Sequence, residues 1–176
     1  MDELVEAALR KWPNVAHCHG WLALDARGDW YMRDSRAQAA GPFPQVKGSR
    51  IRHDKLLAFI QRNYAADEAG AWHFQNGPQR VYVELEAAPW VWRLQARGDA
   101  ARPLVQTHTG RAAQVQSAWL DEAGRLFLLS ELGFGLVHSL DMLAAADALE
   151  AGAWPLQPCA FADMPQRFGY VLRPQA

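Results

Sequence analysis

Hydrophobic and polar positions alternate most regularly between residues 71 and 94, and the rest of the chain can be placed around that stretch. Val81, Val83 and Leu85 alternate with Arg80, Tyr82, Glu84 and Glu86, the period-two pattern of a strand with one apolar face. Asn76-Gly77 is a hairpin signal on one side, and Ala88-Pro89 breaks the run on the other before Trp90-Val91-Trp92-Arg93 restarts it. The pattern predicts strand, turn, strand, turn, strand. Its valine-and-leucine side rests on a helix, and its tyrosine-and-glutamate side faces outward.

Helical spacing appears in three other places. Leu4, Val5, Ala8, Leu9 and Trp12 form a stripe over Asp2–Trp12, stopped by Pro13. Leu56, Leu57, Ile60 and Tyr64 form another over His53–Tyr64, with Phe59 beside it. Leu136, Leu140, Leu143 and Ala144 predict a third over Leu136–Glu150, ended by Gly152. Trp21–Arg33 reads as a hairpin turning at Asp25-Ala26-Arg27-Gly28, and Val115–Ser130 as another turning at Asp121-Glu122-Ala123-Gly124. Leu126–Leu129 is apolar on both faces, which marks a central strand ended by Gly133-Phe134-Gly135. His17-Cys18-His19 leads into the first strand. Asp34–Lys47 has no period and reads as a long loop, followed by a short strand from Gly48 to Ile51. The tail beyond Gly152 reads as loop with a late edge strand.

Asp-x-x-Gly recurs at Asp25–Gly28, Asp67–Gly70 and Asp121–Gly124, each time just before large apolar residues. His53 and His138 both stand at helix entries. This suggests a repeat, with hairpin-plus-helix units over 15–96 and 97–152; chance recurrence of common turn residues is the rival. The polar stretch Arg97–Arg102 marks the boundary between a region 1–96 and a region 97–176. The expected fold class is α+β: two repeated hairpin-plus-helix motifs, with mostly antiparallel curved sheets packed on three main helices.

Composition changes this picture little. The 176 residues carry 18 basic and 19 acidic side chains for a net charge of -1, which gives no electrostatic reason to expect nucleic acid or an anionic membrane. No apolar run approaches the roughly 18 residues of a membrane helix. The acidic start, Met1-Asp2-Glu3, is unlike a secretory signal. Cys18 and Cys159 are too few and too far apart for a disulfide scaffold. A cytoplasmic protein with reduced thiols is expected. Eight tryptophans are the one oddity; the simple reading is sheet core, the alternative a ligand-stacking surface.

Trp30-Tyr31, Gly48-Ser49-x-Ile51, a helix with Leu56 and Phe59, Asp67-x-x-Gly70-x-Trp72, and the run Val81–Val91 through Glu84, Glu86 and Pro89 occur in this order. In these features residues 20–95 resemble the uncharacterised bacterial family DUF1285. The chain departs from it in an insertion, Arg36–Gln45, and in Arg50 where that family often has proline. The resemblance implies an α+β protein of two hairpin-and-helix motifs with curved sheets around helices. It carries no catalytic residue across.

Chemistry has few candidates. Glu84 and Glu86 sit about 7 Å apart on one side of their strand; they suit acid–base work or a cation, or form cross-strand pairs with Arg93. Trp90 and Trp92 share a face, suited to a flat or cationic ligand or to core packing. His17 and His19 point the same way without Cys18 between them, a poor zinc geometry with no partner motif nearby. Ser139 next to His138 lacks a nucleophile elbow, and Gly133-Phe134-Gly135 is too short for a phosphate loop. No catalytic set, metal site or cofactor is expected. The leading expectation is a non-catalytic module that binds a small molecule or a protein partner in a groove between the halves, lined by Tyr82, Glu84, Glu86, Trp90, Trp92, Arg93 and Phe43. The alternative is an enzyme with a pocket built from Glu84, Glu86 and His73.

Overall fold

A computed structural model of the chain describes residues 2–97 and 99–176, with side chains described outside 96–102. Its elements follow the expected order with several additions. They run α1 (Glu3–Lys11), β1 (Cys18–Leu24), β2 (Trp30–Met32), α2 (Ser35–Ala40), β3 (Ser49–Arg50), α3 (Asp54–Arg62), β4 (Tyr64–Ala66), β5 (Trp72–Asn76) and β6 (Gln79–Leu85). After these come β7 (Trp90–Arg97), β8 (Asp99–Thr107), β9 (Ala112–Ala113), β10 (Val115–Leu120), β11 (Leu126–Ser130), β12 (Gly133–Val137), α4 (Met142–Glu150), β13 (Leu156–Pro158) and α5 (Met164–Phe168). The fold is α+β. Most strand pairs are antiparallel, and the parallel ones are β1 with β6, β7 with β12 and β10 with β13.

The chain divides into two compact units. The first holds residues 2–25, 29–86 and 169–176; the second holds 26–28 and 87–168. The cut falls after β6 because β7 pairs with β12 and β8, which follow it in sequence. The expected boundary at Arg97–Arg102 includes Gly98, which lies outside the described residues; β7 ends before it and β8 begins after it. The tail joins the first unit through backbone bonds from Leu85 N to Leu172 O at 2.8 Å and from Val171 N to Gly70 O at 3.2 Å.

The Asp-x-x-Gly turns share one construction. In the second, the Asp67 amide donates to Ala71 O at 3.0 Å, and its carboxylate accepts from the amides of Ala69 and Ala71 at 3.0 and 2.9 Å. Asp121 repeats this with Ala123 and Arg125, and Asp25 makes its version with Asp29. Aspartate suits the position because its short carboxylate reaches amides two and four residues ahead. Glycine suits the fourth position because φ there is +74° to +82°. Thr107-His108-Thr109-Gly110 builds the same turn between β8 and β9, with the Thr107 hydroxyl accepting from the Arg111 amide at 3.1 Å.

The first unit is a six-stranded sheet in the order β3-β2-β1-β6-β5-β4. The apolar side of β6 does meet a helix: Val81 lies with Leu56 and Ile60 of α3, and Phe59 packs edge-on against Phe74 at 5.3 Å. Asp2 ties the start of α1 to the end of α3 through Arg62 and Asn63. Of the expected stripe on α1, only Val5 is buried. Two expectations fail locally. The long loop contains α2, capped by Asp34, whose carboxylate accepts from Ala37 N at 2.8 Å. Tyr64, expected to end α3, instead opens β4.

The second unit is a seven-stranded sheet in the order β13-β10-β11-β12-β7-β8-β9. As expected, β11 is interior to this sheet and β13 is its edge. The third helix is a correction. Gly133–Val137 is not a break into a helix but strand β12, and α4 starts only at Met142. Leu140 and Leu143, expected in the buried stripe, are 70% and 77% exposed; the buried face belongs to Ala145 and Ala148. Alanines at i and i+3 let the helix approach β7 and β8 closely, where leucines would hold it off.

Candidate functional site

The tyrosine-and-glutamate side of the first sheet is covered rather than exposed. Arg33, the residue after β2, is buried and holds the 34–47 segment over that side. It donates to Glu84 at 2.5 Å, to Gly41 O at 2.6 Å and to Val46 O at 3.2 Å. Lys47 bridges Asp25 at 2.8 Å and Glu86 at 3.3 Å. Burial pushes the Lys47 ammonium down, but its bonds and charge interactions with Asp25 and Glu86 hold it above the usual lysine value. Glu84 and Glu86 therefore do not pair with Arg93, as expected from spacing. Their partners, Arg33 and Lys47, flank the segment without periodicity. Arg93 instead forks onto Asp141 at 2.6 and 3.3 Å.

Further along the same side, Tyr82 is surrounded by imidazoles. His19 stacks on its ring at 4.5 Å, His17 stands edge-on at 6.0 Å and His73 is tilted at 5.7 Å. The phenol donates to Asp67 at 2.9 Å. Burial works against the Asp67 charge, but the Ala71 amide and the Tyr82 hydroxyl hold its carboxyl below the usual range. Among the described residues no three His, Cys, Asp or Glu side chains come together as metal ligands.

Burial holds His73 below the ordinary histidine value of 6.5, with Arg80 adding to it; the Ala71 backbone and Asp67 act the other way. His19 shifts downward too, through burial and then His17. A base whose folded pKa is depressed stabilises the fold fully above its unfolded value, and that stability is lost as pH falls below about 6.5, where only the unfolded chain takes up the proton. Chemical denaturation at about pH 7.5 and about pH 5.5 should therefore give a lower midpoint at the acid value, and His73→Phe should flatten the difference. Equal midpoints in the parent would contradict this. The Asp67 carboxyl, lowered from 3.8, contributes only at more acid pH.

The residues expected to wall a ligand groove are interior. Phe43, Trp90 and Trp92 are all at most 2% exposed, and the two indoles donate to Leu132 O at 2.7 Å and Leu128 O at 3.0 Å. Tryptophan at these positions supplies core, with its one N–H satisfied by backbone. Sequence spacing could not separate this from a stacking surface: it puts Trp90, Trp92 and Leu94 on one face of β7, which is buried, and Arg93 and Gln95 on the other, where they are exposed, without saying which face meets the core.

What is open in the first unit is a cavity of about 230 Å³ between α3 and the sheet. Trp21, Met32, Leu56, Ile60, Phe74 and Val81 line it, and the Cys18 thiol is the one sulfhydryl on its wall. Trp21 and Met32 are 45% and 49% exposed. None of these residues stood out in the sequence as a site. The alternation that marks β1 and β6 as strands also marks these residues as core, and only the gap between α3 and the sheet distinguishes them.

A family model described as "Protein of unknown function (DUF2946)" matches residues 1–175. No curated protein matches the chain. Among solved structures, the chain is similar to a DUF1285 family protein from Silicibacter pomeroyi DSS-3, at 13% identity and a TM-score of 0.52, covering 84% of each chain. It is also similar to a DUF1285 family protein from Shewanella baltica OS155, at 15% identity and a TM-score of 0.49, covering 73% of this chain and 91% of that one. At such identities the likeness to the first is one of fold, the one implied by the motifs between residues 20 and 95. Among the described residues no helix is long and apolar enough to cross a membrane.

Proposed function

The chain belongs to the family described as protein of unknown function DUF2946, and since that description carries no activity, we propose from the site itself that the protein is a non-catalytic binding module for a small apolar molecule. The ligand sits in the cavity between α3 and the first sheet. The observation that carries this reading is the wall: every lining residue is apolar or a thiol, and two large ones, Trp21 and Met32, are half exposed.

Exposed tryptophan and methionine beside an apolar cavity cost solvation unless something covers them. The volume sets the ligand's size. An apolar cavity of about 150 Å³ holds a benzene ring, and drug-sized pockets begin at about 300 Å³. The cavity here, at about 230 Å³, suits one substituted ring or a short alkyl chain. The absence of convergent polar groups on this wall favours an uncharged ligand.

The test is a thermal-shift and calorimetric titration of the purified chain with indole, toluene and straight alcohols from butanol to decanol. A ligand of the native state raises the melting temperature by mass action, with about 2.7 kcal/mol of added stability at 100 times its dissociation constant. Bound ligand should slow alkylation of Cys18 while leaving Cys159, in the second unit, unchanged. Leu56→Trp should fill the space and abolish binding without destabilising the free protein. The reading fails if no probe binds at millimolar concentration, or if binding survives Leu56→Trp.

A further inference from the structure

The start of β1 stands between two different surroundings. On one side, His17 and His19 close over Tyr82 of β6, edge-on at 6.0 Å and stacked at 4.5 Å. On the other, Cys18 and Trp21 line the cavity between α3 and the sheet. This is also where β1 leaves its ladder with β6. Cys18 pairs with Val81 and Leu22 with Val83, so β1 takes four steps where β6 takes two. Such a bulge lets a strand bend without losing the pairing beyond it. Resting on the binding reading above, we propose that residues 17–21 form a proton-operated gate. Protons taken up by His73 and His19 lift the bulge from Tyr82 and open the cavity wall, so that an uncharged apolar ligand is held near neutral pH and released in acid.

His73 drives the opening. It is the register partner of Tyr82 across β5 and β6. It is 3% exposed, and its buried Nδ1 has no hydrogen-bond partner among the described residues. A charge there is costly unless an anion meets it, and the groups facing the cluster supply none that is free. From the β4–β5 turn, Asp67 favours the proton, but its carboxylate is already held by the Tyr82 hydroxyl and the Ala69 and Ala71 amides. From β6, Arg80 opposes a second cation, and Glu84 is taken by Arg33. From β1, His17 opposes the charging of His19. From α2, the neutral amide of Gln38 approaches, its oxygen 3.0 Å from a Cβ built on Gly20. The face of Tyr82 accommodates one cation; it does not offset charge on His19 and His73 together.

The bulge is tied at its ends. Gln79 Nε2 donates to Ala16 O and Arg33 N to Trp21 O, both at 2.9 Å. Its middle therefore lifts at the cost of the Cys18–Val81 pairing while the ends stay in place, a local opening and not an unfolding of the sheet.

Two measurements on the full chain test the gate. Without ligand, the rate at which a dipyridyl disulfide labels Cys18 is divided by its rate on Cys159, in the second unit, which removes the pH dependence that thiols share. That ratio should rise about tenfold from about pH 7.5 to about pH 5.5, within the usual range of coupling between two sites. Circular dichroism should not change over this range; a loss of signal would mean unfolding in place of a gate. His73→Phe should flatten the rise. His19→Phe, at a half-buried position and keeping a ring on Tyr82, should reduce it, and it is the deciding variant should His73→Phe fail to fold. With indole, calorimetry should give a dissociation constant about tenfold higher at about pH 5.5, and by reciprocity binding should release protons, read from the heats in two buffers of different ionisation enthalpy. Indole does not titrate in this range, so both effects belong to the protein. Absence of indole binding at about pH 7.5 would overturn the binding reading, and the Cys18 ratio would still decide the gate. Equal indole binding at both pH values, a Cys18 ratio that does not rise, or a rise undiminished in His19→Phe would each overturn the gate and leave the binding reading standing.

Discussion

Arg33→Met should destabilise the first unit by about 3–5 kcal/mol, the range for breaking one side of a buried ion pair. Methionine keeps the aliphatic stem but removes three bonds: those to Glu84, Gly41 O and Val46 O. Glu84 is left with a largely buried charge, its side chain 15% exposed. Two backbone carbonyls of the covering segment lose their donor at the same time. The segment around α2 is then held by Gln38 on the Arg33 carbonyl at 2.9 Å, by the Lys47 bridges and by Arg173 on Phe43 O at 2.9 Å. Two measurements follow. The urea midpoint should fall, and trypsin should cut faster after Arg36, which lies within α2 and becomes extended only when the segment opens. Arg33→Met with Glu84→Leu should recover much of the loss, because an apolar pair of similar volume removes the orphaned charge rather than exposing it. A cost under about 1 kcal/mol, or a double variant no better than the single one, would show that Arg33 does not hold the segment.

That arginine also marks the limit of what the chain's pattern reveals. Strands β5, β6 and β7, the hairpin turns at Asp25 and Asp121, and the interior position of β11 were all readable, because each is a local rule: alternation, turn chemistry or a double-sided apolar run. Pairing is not local. Glu84 and Glu86 were legible as a polar face, yet their partners lie 51 and 39 residues away, one at the end of a hairpin and one at the end of a segment with no period. Thr107–Gly110 was missed because threonine performs there the task aspartate performs in the other turns. Tyr82 alternates as a surface residue should, but lies against the imidazoles of His17, His19 and His73, which no local pattern brings there. The candidate sites were least legible of all. Leu56 and Val81 read as core, and a cavity is the space such residues leave unfilled.

Gly135→Ala should destabilise the second unit by about 3–5 kcal/mol, more than its single methyl suggests. In sequence Gly135 reads as a strand terminator, but it lies in β12 opposite Trp90 on one side and Leu128 on the other. A Cβ there would meet Trp92 Nε1 at 2.5 Å, Trp90 Cβ at 2.7 Å and the Trp90 carbonyl oxygen at 2.7 Å. The indole nitrogen cannot yield freely, since its proton is held by Leu128 O at 3.0 Å. The carbonyl cannot yield without parting β12 from β7. Overpacking costs about 1–3 kcal/mol, and a buried donor and acceptor pulled apart cost about 1–3 kcal/mol more. Gly110→Ala is the control. Its φ of +85° makes any side chain strained, but nothing lies within 4 Å of the added carbon, so its cost should stay near the 1–2 kcal/mol of a left-handed residue. Adding Trp92→Phe removes the clashing nitrogen, so the double variant should lose less than the sum of the two. If Gly135→Ala costs no more than Gly110→Ala, the two tryptophans are not packed against that strand as described.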